Sequence, residues 1–303
     1  CSTNRLRSLI QNELVAMAEK YGDERRSPLV LREEARAFSE LDMISSDPTT
    51  VVMSDKGWIR AAKGHDIDPG SLSYKSGDGY RMAVRGRSNQ PVVILDSTGR
   101  SYTLPSHNLP SARGQGEPVT GRINPPSGAT FEGMMMGSED QLYLLASDAG
   151  YGFVCKGSDL LSKNKSGKAL VNLPQASEVM LPSPIADLDT NQILAITNQG
   201  RMLLFPIKDL PQLSKGKGNK IINIPSAKAK EREEFVSHLM AIPQGTTLTL
   251  YAGKRKLGLK PADLDNFRGE RGRRGGLLPR GLQRVTRIEV ELPNGAEKKD
   301  TEE

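Results

Sequence analysis

Four times along the chain an apolar run of strand length stops at a short polar turn closed by glycine and then resumes: Val51–Arg60, Val92–Tyr102, Leu142–Val154 and Ile193–Phe205. A fifth run, Leu248–Leu257, keeps both strands but shifts the glycine. The turns read Asp/Asn-x-Gly in the first, third and fourth units and Ser-Thr-Gly in the second. That chemistry predicts a three-residue hairpin loop, a type I turn closed by a residue at positive φ, where glycine has no Cβ to clash. The turn glycines Gly57, Gly99, Gly150, Gly200 and Gly253 follow one another after 42, 51, 50 and 53 residues. A repeat of that length belongs to propeller blades, not to helical solenoids.

A second feature recurs after each hairpin. Asp66, Asn108, Asp159, Asp209 and Asp263 are each followed by Ile or Leu, a few polar residues, a loop of glycines and polar or basic residues, and another strand. The loops are Lys75–Gly79, Arg113–Glu117, Lys163–Lys168, Lys215–Lys220 and Arg268–Gly276, numbered 1 to 5 below. Loop 4, within Leu213–Ile224, first suggests a nucleotide cradle. It lacks the Gly-x-x-x-x-Gly-Lys-Ser/Thr order and the following helix that a P-loop needs, and it is one copy among five. The expectation is an all-β, propeller-like domain over residues 47–292, with five radial blades of four strands each. Residues 1–46 read as a helical linker and 293–303 as a disordered acidic tail.

The linker begins with Leu6, Leu9, Ile10, Leu14, Met17 and Tyr21 at helical spacing, a single apolar stripe over Asn4–Tyr21 suited to packing on another domain. Glu33–Phe38 reads as a short polar helix or linker. No run approaches the about 18 apolar residues of a membrane span. Two cysteines, Cys1 and Cys155, make no disulfide framework, so a reducing cytoplasm is expected. His65, His107 and His238 are scattered without ligand spacing, and no nucleophile elbow is present, so neither metal nor catalytic site is expected in this chain.

Charge is the functional signal. The net charge of +6 divides into about −2 over residues 1–49, −2 from Pro293 onward, and about +10 between them. Five basic loops at equivalent positions of a radial fold would form a curved track along one rim, suited to the phosphates of a bent duplex. Glycine would let backbone N–H groups approach phosphate, and little base reading would follow. The candidate contacts are Lys163, Lys165 and Lys168 in loop 3, Lys215, Lys217 and Lys220 in loop 4, and Arg268, Arg271, Arg273 and Arg274 in loop 5. Arg201 beside a turn glycine, Lys254, Arg255 and Lys256 in the fifth hairpin, and Arg280 and Arg284 downstream complete the strong set. Loops 1 and 2 contain Asp78 and Glu117, so Arg60, Lys75, Arg100 and Arg113 form a weaker set. Units three to five are expected to bind most strongly. Trp58 and Tyr151, just after turn glycines, are candidates for base stacking against the commoner role of packing the blades.

These residues resemble a known family, the C-terminal domains of the A subunits of bacterial type IIA topoisomerases. The resemblance is carried by Lys63–Asp68, Ser88–Val93, Leu95–Tyr102, Leu109–Pro118, Ala146–Cys155, Leu210–Pro225 and Gly269–Gly276, with Leu9–Leu14 and Tyr21–Arg26 similar to the junction with the DNA-cleaving domain. It implies a five-bladed β-pinwheel whose neighbouring blades exchange strands. It also implies double-stranded DNA as partner, within a homodimeric A subunit joined by an ATP-using B subunit, in an enzyme that unlinks and relaxes DNA. ATP and Mg would serve other parts of that assembly, and this chain would carry no cofactor. The family's nucleophile is a tyrosine preceded by arginine, and no tyrosine here follows an arginine, so the chain alone is expected to cleave nothing. Gyrase-type relatives carry an arginine- and glycine-rich box in the first blade that lets them wrap DNA. Here the first loop, Tyr74–Gly79, has Asp78 there, and the nearest copy, Gly272–Gly276, lies in the last unit, which implies bending without wrapping. A cytoplasmic, nucleoid-associated location follows, with peripheral inner-membrane association left open. The other reading is a protein-interaction propeller that docks a condensin-type partner.

Overall fold

The computed structural model describes residues 2–23 and 44–293. The segment read as a short helix at 33–38, the junction beyond Asp23 and the acidic tail beyond residue 293 lie outside them. The chain forms two compact units, Cys1–Glu40 and Leu41–Glu303. The first contains helix α1, Thr3–Tyr21, which carries the expected apolar stripe and buries none of its residues. Among the described residues no helix is long and apolar enough to cross a membrane.

In the second unit each repeat folds in the same sequence of pieces. Repeat 1 supplies β1 (Pro48–Ser54), β2 (Trp58–Lys63) and β3 (Tyr80–Arg87). Repeat 2 supplies β4 (Pro91–Asp96), β5 (Arg100–Pro105), the two-residue β6 (Glu117–Pro118) and β7 (Phe131–Met136). Repeat 3 gives β8 (Leu142–Ser147), β9 (Tyr151–Lys156), β10 (Lys168–Ala169) and β11 (Ser183–Ile185). Repeat 4 gives β12 (Asn191–Thr197), β13 (Arg201–Pro206), β14 (Asn219–Lys220) and β15 (Val236–Pro243). Repeat 5 gives β16 (Thr247–Ala252), β17 (Arg255–Leu259), β18 (Gly276–Leu277) and β19 (Arg287–Glu291).

Repeat 1 lacks the two-residue strand, and that of each of repeats 2 to 5 belongs to the sheet before it. The five antiparallel sheets are ordered β3-β1-β2-β6, β10-β5-β4-β7, β11-β8-β9-β14, β15-β12-β13-β18 and β17-β16-β19. The last has three strands among the described residues instead of the expected four. The hairpin turns form as their sequences predict: Gly57, Gly99, Gly150 and Gly200 donate to the carbonyls of Ser54, Asp96, Ser147 and Thr197 at 2.9–3.0 Å. At Gly99 the φ is +79° and a Cβ would stand 2.2 Å from the Val171 carbonyl oxygen, so only glycine fits.

The inner strands are apolar on both faces, as a sheet covered on both sides requires. Val92, Val93, Ile94 and Leu95 are all buried, with Val92 and Ile94 packed toward sheet 1 beside Val51, Met53 and Ile59, and Val93 and Leu95 toward sheet 3 beside Tyr143, Leu145 and Phe153. Two further clusters join sheets 3 and 4 and sheets 4 and 5. Each core side chain of this kind stabilises by about 1.5–3 kcal/mol when fully buried.

Candidate nucleic-acid interface

The exchanged strands bring the basic loops onto the sheets. Loop 2 ends in β6 on the edge of β2, loop 3 in β10 on β5, loop 4 in β14 on β9 and loop 5 in β18 on β13. Glycine serves this contact before any phosphate. Gly218 has φ +74°, and a Cβ there would lie 2.2 Å from the Gly152 carbonyl oxygen on the preceding sheet. Gly116, Gly167 and Gly275 press on Ile59, Ser101 and Met202 in the same way. The small residue lets one backbone lie against the next.

Among the described residues no sheet precedes the first, and loop 1 folds onto its own. The Asp55 amide donates to the Gly79 carbonyl at 2.9 Å. Asp78 Oδ1 accepts from the amides of Lys56 at 3.0 Å and Gly79 at 2.9 Å. Burial on its own raises the Asp78 carboxyl, but bonds from the Ser54 side chain and those two amides, with the Lys56 charge, bring it below its ordinary value. The acid that breaks the basic pattern of loop 1 is therefore part of its fold.

Successive loops are bonded to one another. After β6, β10 and β14 the backbone amide of an asparagine reaches the next loop: Asn124 N–H donates to Lys165 O at 2.7 Å, Asn172 N–H to Gly216 O at 2.9 Å and Asn223 N–H to Arg273 O at 2.9 Å. These links are made by main-chain groups, so no side-chain pattern in the sequence announces them. Between loops 1 and 2 the link is Arg60, whose Nη1 donates to Ser73 O and Gly114 O, both at 2.8 Å, while the guanidinium stacks on Tyr74. The five loops thus form one connected series.

Within the series the candidate cations fall into two groups. Lys163, Lys165, Lys215, Lys254, Lys256, Arg113, Arg280 and Arg284 are exposed, and their side chains make no ion pair or hydrogen bond among the described residues. Lys217 and Lys75 are also exposed, each over an aromatic ring: Lys217 Nζ is 3.8 Å from the Tyr151 centroid and Lys75 Nζ 3.3 Å from the Trp58 centroid. Both aromatics are partly buried and each carries a lysine on its ring. Lys220 lies 5.8 Å from the same Tyr151 ring and bonds Asn223 Oδ1 at 3.1 Å.

The second group is turned to structural use. Arg60 is only 2% exposed, which corrects its reading as a surface contact. It stands third after the turn glycine, the inward position held by Tyr102, Phe153 and Leu203 in the next three repeats. Half-buried Arg100 and Arg201 donate to loop carbonyls at Ser166 (3.1 Å) and Gly275 (3.4 Å). Lys168 Nζ donates to Asp159 O at 2.6 Å and Arg271 to Lys220 O at 3.0 Å. Arg255 remains exposed and donates to Arg280 O at 3.3 Å. Three arginines of loop 5 are ion-paired: Arg268 with Asp265, Arg273 with Glu270 at 2.7 Å, and Arg274 with the fully buried Glu234 at 2.6 Å. Among the five loops the exposed cations without an ion pair are therefore concentrated on loops 3 and 4, while in the fifth repeat they lie outside the loop, at Lys254, Arg255, Lys256, Arg280 and Arg284. Among the described residues no group of His, Cys, Asp or Glu is placed to hold a metal ion.

Residues 141–180 and 191–243 match the family model described as DNA gyrase C-terminal domain, beta-propeller. The chain is 56% identical to the A subunit of DNA topoisomerase 4 from Pseudomonas aeruginosa over 96% of its length, and 56% identical to that from Escherichia coli K12 over 100%. It spans about two fifths of these relatives, 39% and 40% respectively. The solved structure of the E. coli ParC C-terminal domain, 57% identical, superimposes with a TM-score of 0.77 over 82% of this chain and 100% of that one. A second structure, of the C-terminal domain of DNA topoisomerase IV, shares the fold at 14% identity with a TM-score of 0.64.

Proposed function

The chain belongs to the C-terminal β-pinwheel domains of the topoisomerase IV A subunit (ParC), within the gyrase and topoisomerase IV family, and on that premise we propose that it binds and bends duplex DNA without sequence preference. The observation that carries the reading is the connected series of loops, which presents exposed lysines from consecutive repeats on one hydrogen-bonded support. Lysine on flexible stems neutralises phosphate as a point charge and reads no base edge, so the contacts position a duplex and leave its sequence unread. In the holoenzyme the domain would capture crossing or transported segments and set which topology is decatenated or relaxed. The remainder of the A subunit would supply cleavage and dimerisation, and the B subunit (ParE) the ATP. Gyrase-like wrapping is not expected, because loop 1 is held on its own sheet with Asp78 in it.

The test is a salt titration of binding to linear and supercoiled DNA, comparing the chain with a variant carrying Lys163→Ala, Lys165→Ala, Lys215→Ala and Lys217→Ala. Four phosphate contacts account for a slope of about −3.6 in log K against log salt, so the variant should lose about that much slope. A slope that does not change would reject the loops as the interface and turn attention to a protein partner.

A further inference from the structure

Loop 5 contains four arginines, more basic residues than any other loop, and acids stand close enough to pair with three of them. Asp265 and Glu270 sit three residues before Arg268 and Arg273, and both pairs are exposed, with Glu270 Oε2 accepting from Arg273 Nε at 2.9 Å and Nη2 at 2.7 Å. Arg274 is held differently. Its partner Glu234 is completely buried, 40 residues away in sequence, and its Nη1 also donates to Asn223 O at 2.8 Å. The fourth arginine, Arg271, is half-buried against the Lys220 carbonyl. Loops 3 and 4 contain no acid at all within Lys163–Lys168 and Lys215–Lys220.

We propose that Asp265 and Glu270 act as an electrostatic governor on the DNA-binding surface, holding the grip of loop 5 on a duplex below what its four arginines would otherwise give. The inference rests on the DNA-binding reading above and adds how its strength is set. The physics separates the two kinds of pair. A buried pair such as Arg274–Glu234 does not exchange partners, because parting it leaves a charge stranded out of water. Exposed pairs are weak, so a phosphate can take the arginine. The displaced carboxylate then remains beside the phosphate, and that like-charge repulsion offsets the attraction of arginine for phosphate. Asp265 and Glu270 therefore lower the affinity of loop 5 for a duplex without disabling it.

The experiment uses the 303-residue chain with the double substitution Asp265→Asn and Glu270→Gln, both at exposed positions where the fold is not at stake. Its control is Glu139→Gln with Asp140→Asn, an exposed pair outside the loops that changes net charge by the same amount. Binding of a linear duplex is titrated against salt, melting temperature is recorded for each protein, and topology is scored on relaxed circles. Two freed arginines should steepen the slope by up to about 1.8 and tighten binding about tenfold at 0.1 M salt, with an added shift in linking number. The control should leave slope and topology as in the parent chain. Equal slopes for parent and loop 5 variant, or the same steepening in the control, would overturn the governor while leaving DNA binding by loops 3 and 4 in place. A parent chain whose affinity for DNA does not respond to salt would overturn both.

Discussion

Replacing Gly218 with alanine isolates the strand exchange from everything else the loops do. Two costs combine at this position. The backbone φ of +74° is one that an L side chain adopts at about 1–2 kcal/mol. In addition the new Cβ would stand 2.2 Å from the oxygen and 2.4 Å from the carbon of the Gly152 carbonyl, which are backbone atoms and cannot swing aside. Relief requires β14 to lift from β9, which gives up the Tyr151–Lys220 pairing and the bond from the Ile221 amide to Gly150 O at 2.7 Å. At about 0.5–1.5 kcal/mol net for each bond lost, the sum is about 3–4 kcal/mol. For a domain of this size about 2–4 °C of melting temperature accompanies each kcal/mol, so the variant should melt about 10 °C lower. Two companions separate the costs. Gly253→Ala meets no atom within 4 Å but keeps a φ of +59°, so it should show only the backbone part, about 3–6 °C. Gly258→Ala meets nothing within 4 Å and has no left-handed φ, so it should be near neutral. Calorimetry gives the melting temperatures, and hydrogen exchange at the Ile221 and Gly272 amides shows whether loop 4 has come loose from its neighbours. If Gly218→Ala melts together with Gly253→Ala, the close approach of the two backbones is not what demands glycine there.

Tyr151→Leu should weaken duplex binding about two- to fivefold, the value of an exposed cation–π contact, while Tyr151→Leu and Tyr151→Phe melt alike and Tyr151→Phe retains the affinity. Equal affinities for all three in an anisotropy titration would deny the ring its part in holding Lys217. Cys155 is 1% exposed, and burial first, with the charge of Asp159, pushes its thiol up to about 12 despite Lys168. Because the folded state keeps the proton longer, stability should be level below about pH 8.5, where a free cysteine begins to ionise, and fall as pH rises from there toward 12. Alkylation mapped to residue 155 should be negligible in the folded chain at pH 8 and become rapid on unfolding.

The hairpins were legible because a turn is local: Asp96, Thr98 and Gly99 specify it within a few residues, and Asp96 Oδ1 accepts from the Thr98 and Arg100 amides at 2.9 Å to fix it. The exchanged strands were not, since a two-residue strand such as Asn219–Lys220 has no periodicity of its own and takes its conformation from β9. Charged positions were readable as a class but not one by one. Arg60 looks like any other arginine until its place after Gly57 is aligned with Tyr102 and Phe153, and then the inward direction follows from the alternation of a strand. The pairing of Arg274 with Glu234 spans 40 residues and depends on how loop 5 lies over the end of loop 4, which no local pattern encodes.

The direction of strand exchange and the grading of charge turn out to be connected. Because repeats 2 to 5 each lend a short strand to the sheet before, the series has two unlike ends among the described residues: a first loop that lies on its own sheet and a fifth sheet that receives no strand. A loop on its own sheet must be fixed by its own residues, and Asp78, Arg60 and Lys75 are taken up by that task, which removes free positive charge from loop 1. At the other end Asp265, Glu270 and Glu234 occupy the arginines of loop 5. Loops 3 and 4 are spared both demands, since each lies on a complete sheet and is tied to the loop beside it through a backbone amide. On the proposed DNA-binding reading a duplex would meet unpaired cations on loops 3 and 4 and again on the fifth hairpin and the Arg280–Arg284 segment, and few on loop 1 and on loop 5 itself, a broken path that suits bending over a short stretch better than wrapping.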